Sequence, residues 1–312
     1  ADPQGEFAGQ NVLYLARSIG DVAAAAGRAP TEVADTLAHV KRALRQHRVT
    51  RPRPHRDDKV LTAWNGLMIA AAARAARMFA DSDWCLDMAV RATDFVRRRL
   101  WDASSATLYR RFRDGHVAVE AYAEDYACLI FGLLELFQAT ADAQWLSWAI
   151  ELQRQQDSLF WDEAGGGWFS TSGRDASVLL RLKEDYDGAE PAATSVGVFN
   201  LLTLVHLTAD PTWTDRLPAA LRVFGARAAS NTRTVPMALA ALSTYHAGLS
   251  QVVITGEEGD PTYEAMRDIV RTSYLPSAVV VMVPSSRRAG IGRLLGALVV
   301  SPAGDSRHTD CF

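Results

Sequence analysis

HRDDKVLTAWNGL, residues 55–67, places His55, Arg56, Asp57, Asp58 and Lys59 directly in front of an apolar run that continues through Met78. Trp64, Asn65 and Gly66 open that run. A helix starting here offers free backbone N–H groups and a partial positive charge, which suit a binding site and equally suit Asp as a simple cap. What decides the fold is that the arrangement recurs. A helix over about 62–80 and another over about 84–100 lead to Trp101-Asp102 and a short aromatic turn. Sixty residues on, helices over about 122–139 and 143–160 lead to Trp161-Asp162. Trp101 and Trp161, Asp102 and Asp162, Leu86 and Leu146, and Ala89 and Ala149 all share that offset. A looser third unit covers about 190–208 and 214–229, and a further helix covers about 234–245.

A helical hairpin cannot bury its apolar face alone, so successive hairpins must stack. The first helices, containing IAAAARAARMF, YACLIFGLLELF and VGVFNLLTLVHL, are apolar around most of their circumference and predict an inner layer. The second helices are amphipathic and predict an outer one. The fold expected is mainly α, an α/α toroid, with an open α-solenoid as the competing arrangement. The Trp-Asp turns predict small β-hairpins at one rim.

Upstream, residues 8–19 and 31–47 predict two helices, the second capped by Thr31, and the Pro-containing stretch 48–58 predicts a loop. After about Gly248, QVVITG, PTYEAMRDIVRTSYL and SAVVVMVP predict a βαβ-like unit, and GALVVSP a further strand. The expected organisation is a hairpin domain over 1–250 with a βαβ-like segment over 251–312 packed on it.

Composition narrows the function. The 312 residues are 48% hydrophobic and 22% charged, as in ordinary globular proteins. A net charge of −3 gives no reason to expect nucleic acid or an anionic membrane as partner. No apolar run reaches the roughly 20 residues of a membrane span, and ADPQGEFAGQN lacks the pattern of a signal peptide. Cys85, Cys128 and Cys311 form no CxxC pair, which excludes a zinc ribbon or dithiol motif and makes cytoplasm the default compartment. The histidines show no metal-ligand spacing, so neither metal nor cofactor is expected. GEEG at 256–259 follows a strand but lacks the spacing of a nucleotide-binding loop.

In a toroid the inner helices start at one end. The three starts bring Asp57, Asp58, Lys59, Trp64 and Asn65; Tyr122, Glu124, Asp125 and Tyr126; and the run from Lys183 to Pro191, which contains Asp187 and Glu190. Carboxylates in pairs can act as acid and base on a glycosidic bond or a hydroxyl, and aromatic rings stack on sugar faces. This reading makes Asp58, Glu124, Asp125 and Asp187 the catalytic candidates. Trp64 and Tyr122 are the stacking plates, Asn65 an orienting amide, and His55, Asp57, Lys59 and Glu190 further substrate contacts. The competing reading is that acidic residues in a first turn stabilise the helix dipole, by about 0.3–1 kcal/mol each.

RPHRDDKVLTAWNGLMIAAAARAAR, AYAEDYACLIFGLLELFQAT and RLKEDYDGAEPAATSVGVFNLLTL together resemble the thioredoxin-domain-containing family of spermatogenesis-associated protein 20 and bacterial YyaL-type proteins. The resemblance covers most of residues 10–285. It implies a six-hairpin α/α toroid similar to N-acylglucosamine 2-epimerases and six-hairpin glycosidases. It also implies that this chain is the later part of such a protein, with the thioredoxin-like domain and first hairpins absent and a thioredoxin-like domain supplied elsewhere as a partner. Asp57, Asp58, Lys59, Trp64, Asn65, Glu124, Asp125, Asp187 and Glu190 fall on its signature positions. Where the family often reads Pro-Ser-Gly-Asn-Ser, this chain reads Pro191-Ala192-Ala193-Thr194-Ser195 and loses the Asn. The family's C-terminal Cys-containing segment is represented by Cys311 alone. Three functions stand at this point: a carbohydrate-active domain of the sugar epimerase, isomerase or glycoside hydrolase kind; a non-catalytic ligand-binding or scaffold module; and an inactive fragment.

Overall fold

The computed structural model describes residues 14–291. They fall into two compact units, divided between Asp57 and Asp58. The first holds α1 (Ile19–Ala26) and α2 (Pro30–Val49). Of the helix expected over 8–19, residues 14–18 are not helical and the earlier ones lie outside the described residues. Ser18 sets the actual start, its hydroxyl accepting the Asp21 N–H at 3.1 Å. The second helix begins at Pro30, ahead of Thr31, because a proline in the first turn needs no N–H partner.

The second unit opens with β1 (Val60–Leu61), α3 (Thr62–Met78) and α4 (Asp83–Arg99). A small antiparallel sheet follows: β2 (Trp101–Asp102), β3 (Thr107–Arg113) and β4 (His116–Glu120), with β3 paired to β1, β2 and β4. The β3–β4 turn is Asp114-Gly115, both at positive φ (50° and 81°), the tight geometry that Asp-Gly favours. Next come α5 (Ala123–Thr140) and α6 (Ala143–Phe160), then α7 (Ala193–Thr208) and α8 (Pro211–Arg222). The helix expected over 214–229 is broken after Arg222; Gly225 opens a separate short helix, α9 (Gly225–Ser230). Pro236 starts α10 (Pro236–Ala247).

Helices α3, α5, α7 and α10 pack side by side as an inner layer, and α4, α6 and α8 each fold back outside. This is the α/α-toroid arrangement, with four inner helices among the described residues. Chain reversals repeat too: α5 and α7 each end in a left-handed alanine, Ala141 (φ 51°) and Ala209 (φ 53°). Each is followed by an Asp that caps the outer helix, Asp142 to Gln144 N–H at 3.1 Å and Asp210 to Thr212 N–H at 2.9 Å. The second Trp-Asp turn makes only an isolated bridge, Trp161 with Trp168. Behind it the buried Asp157 accepts the indole N–H groups of Trp168 (2.9 Å) and Trp213 (3.0 Å), tying α6 to α8.

The tightest crossing joins α3 to α5. A Cβ added at Gly66 would lie 2.4 Å from the Cys128 carbonyl, and one added at Gly132 would lie 2.6 Å from the Gly66 oxygen. Two backbones this close leave no room for a side chain. After α10 come β5 (Ser250–Gly256), α11 (Pro261–Thr272), β6 (Ala278–Pro284), parallel to β5, and a final turn of helix, α12 (Arg288–Ile291). This βαβ-like segment belongs to the same compact unit as the hairpins, and Gln138 of α5 accepts the Val280 N–H at 3.1 Å. The strand expected at GALVVSP and Cys311 lie outside the described residues.

Gly66→Ala and Gly132→Ala are each expected to destabilise the protein by about 3 kcal/mol, read as a lower urea midpoint, since the neighbour is backbone and cannot yield.

Candidate functional site

The starts of all four inner helices lie at one end, and buried carboxylates hold them there. Asp125, in the first turn of α5, is fully buried. It accepts the Ala63 N–H from the start of α3 (3.1 Å), the Tyr122 N–H ahead of its own helix (3.0 Å) and an Arg110 N–H (2.9 Å). Burial outweighs the Arg110 charge and these donors and pushes its carboxyl up to about 6. Asp187, in the loop before α7, is buried as well. One oxygen accepts the Ala192 N–H (2.8 Å) and the other accepts the Met237 and Ala238 N–H groups at the start of α10 (2.9 and 3.2 Å). Both carboxylates are filled by backbone donors and join neighbouring helices. Asp58 pairs with Arg113 at 3.0 Å on the adjacent strand.

A different set of carboxylates meets at the open mouth. Arg110, delivered by β3, lies 4.9 Å over the Tyr122 ring and pairs with Glu124 as well as with Asp125. Glu190 accepts the Trp64 indole N–H at 2.9 Å. Between them lies Glu184. Its carboxyl is raised by desolvation and by the charges of Glu124 and Glu190, against a backbone N–H from Ala193 and the charge of Arg110. The mouth therefore runs from Trp64 through Glu190, Glu184, Glu124 and Arg110 to Tyr122. Trp64 remains 56% exposed and Tyr122 40%. Cys128, one turn below Glu124, is buried, and burial with the carboxylates above raises its thiol far above the ordinary range. It stays protonated.

Of the residues expected from sequence, Trp64, Tyr122, Glu124 and Glu190 come together here. Asn65 closes the first turn of α3, its amide donating to the Leu61 carbonyl at 2.8 Å. Lys59 immediately precedes β1. His55 and Asp57 belong to the first unit, where His55 is exposed with Nδ1 2.9 Å from the Arg56 oxygen. Arg110 and Glu184 were not among the expected positions. Glu184 stood inside the flagged 183–191 run, while Arg110 carried no signal beyond the aromatic turn around it. Among the described residues, no group of three or more His, Cys, Asp or Glu could hold a metal ion. No helix there is long and apolar enough to cross a membrane. The start of α11, beside GEEG, is filled by its own cap: Asp260 accepts the Thr262 and Tyr263 N–H groups.

No family profile matches the chain. Human spermatogenesis-associated protein 20 is 35% identical over 303 residues, covering 94% of this chain, and its mouse counterpart is 34% identical over the same span. The chain belongs to the spermatogenesis-associated protein 20 family. It spans about two-fifths of the length of these relatives, 38% of each. Among solved structures, cellobiose 2-epimerase from Bacillus thermoamylovorans is similar at 15% identity and a TM-score of 0.46, over 55% of this chain and 46% of that one.

Asp187→Ala leaves three backbone N–H groups without their acceptor and is expected to cost on the order of 3 kcal/mol in urea melts. Asp125 carries a pH signature. The fold raises its carboxyl, so the stability it contributes is full below about pH 4 and is lost as pH rises through about 6. The stability difference between the native protein and Asp125→Asn should shift against the native protein by on the order of 3 kcal/mol between about pH 4 and pH 7.

Proposed function

We propose that the mouth binds a sugar, and that Glu184 and Glu124 act on it as acid and base. The observation that carries this reading is the placing of Glu184 between Glu190 and a Glu124 that pairs with Arg110. Neighbouring carboxylates with different surroundings separate their proton affinities. Glu184, raised by desolvation and by Glu124, keeps its proton to higher pH. Glu124, held beside it by Arg110, is the second carboxyl group of the pair. One group can then protonate a leaving or ring oxygen while the other takes a proton from water or a carbon-bound position, as hydrolysis or epimerisation requires. Trp64 and Tyr122 offer ring surface at either end.

Asp58, Asp125 and Asp187 take other parts in this proposal. Asp125 and Asp187 position the helix starts, and Asp58 orders β3 through Arg113. The similar cellobiose 2-epimerase suggests the kind of chemistry to assay first. The alternative, a non-catalytic ligand-binding or scaffold module, shares the mouth but needs no proton transfer.

A thermal-shift panel of neutral mono- and disaccharides, amino sugars and sugar phosphates tests the reading. A sugar should raise the melting temperature of the native protein and not that of Trp64→Ala. Turnover of that sugar should fall at least a hundredfold in Glu184→Gln with binding retained. Its alkaline limb should lie above the usual carboxylate range. Binding with no turnover in the native protein would favour the scaffold reading, and no shift with any sugar would reject the proposal.

A further inference from the structure

Between the outer helices α6 and α8 lies a cavity of about 410 Å³, within the range of small-molecule sites. None of the mouth residues lines it. Arg154 and Ser158 come from α6, Trp161 from the turn after it, and Thr212, Trp213 and Arg216 from the first two turns of α8. Each arginine is laid on an indole. The Arg216 guanidinium is 4.9 Å from the centre of the Trp161 ring, and that of Arg154 is 6.0 Å from the Trp213 ring. A guanidinium held over an aromatic face keeps its charge and leaves its N–H edge for a partner in its own plane.

Three carboxylates also line the cavity, and they are committed to different degrees. Asp157 is fully used. It accepts the Gln153 amide and the indoles of Trp168 and Trp213, and it pairs with Arg216 at 3.0 Å. Asp210 caps α8 and stands 3.9 Å from Arg154, too far for a hydrogen bond. Glu163 pairs with Arg216 at 3.1 Å, but its side chain is 81% exposed, and a surface ion pair of that kind contributes at most about 1 kcal/mol. Arg154 is thus a charged donor set without a hydrogen-bonded carboxylate. One edge of Arg216 is held only by a group that a better-placed oxyanion displaces.

We propose that this cavity binds a small hydroxylated carboxylate, of the sugar-acid class. Its carboxylate takes N–H groups of Arg154 and Arg216 in place of Glu163, the planar match that guanidinium makes best. Its hydroxyls meet Ser158, Thr212 and the Asp210 carboxylate. A single negative charge suits the surroundings, because a dianion such as phosphate would also face Asp157 and Asp210. A neutral polyol would leave Arg154 without an anionic partner. This site does not rest on a sugar binding at the mouth.

Isothermal titration calorimetry of the full 312-residue chain near neutral pH tests this, with gluconate and glucuronate as probes. At least one of them should bind saturably. Glucitol, which has the hydroxyls without the carboxylate, and inorganic phosphate should each bind about tenfold more weakly or worse. Arg154→Gln changes a side chain that is 69% exposed, so it should melt like the native protein yet lose about tenfold or more in affinity. Glu163→Gln removes the competing carboxylate and should tighten binding. Trp64→Ala, in the mouth, should leave it unchanged. The proposal is overturned by no saturable heat with either acid, by glucitol or phosphate binding as tightly, or by undiminished binding in Arg154→Gln. Weaker binding in Glu163→Gln, or loss of binding in Trp64→Ala, overturns it as well.

Discussion

A buried carboxylate shared between two helix starts is the interaction on which the second unit depends. Each inner helix presents unpaired N–H groups at the same end, and these cannot be left in an apolar interior without a large loss. Asp125 answers the need for α3 and α5, and Asp187 answers it for α10 and the approach to α7. One side chain therefore caps a helix and fixes its neighbour's axial position. The Gly66–Gly132 crossing fits only at that axial position, because a slide along the axis would bring side chains where only glycine has room.

This division of labour explains why the mouth is made of glutamates. Aspartate is short enough to turn back onto nearby backbone donors and is consumed by the frame. Glutamate, one methylene longer, reaches past the frame to the open end. Arg110 links the two groups, pairing at once with Asp125 in the frame and Glu124 in the mouth. The electrostatics of the mouth are thus anchored to the helix packing.

The hairpin architecture was legible in the sequence because it rests on apolar periodicity, and periodicity is local. The shared offset of Trp101 and Trp161, and the all-round apolar character of α5, were enough to assign inner and outer layers. The site was legible only as a neighbourhood. Asp125 and Glu124 are adjacent in the chain and read alike, yet one is fully buried and the other reaches the mouth. Asp187 meets N–H groups 50 and 51 residues later, a partnership that no local pattern encodes. Arg110 depends on the register of β3 against β1 and β4, which sets which of Arg110, Arg111 and Arg113 faces α5.

The bond from Gln138 to Val280 joins residues 142 apart in sequence. Closing a loop of that length carries an entropy cost, which the packed structure between the two residues offsets. The C-terminal strand pair thus acts as a clasp on a finished hairpin array. Exchange of the Val280 amide proton therefore reports on whether that clasp is closed.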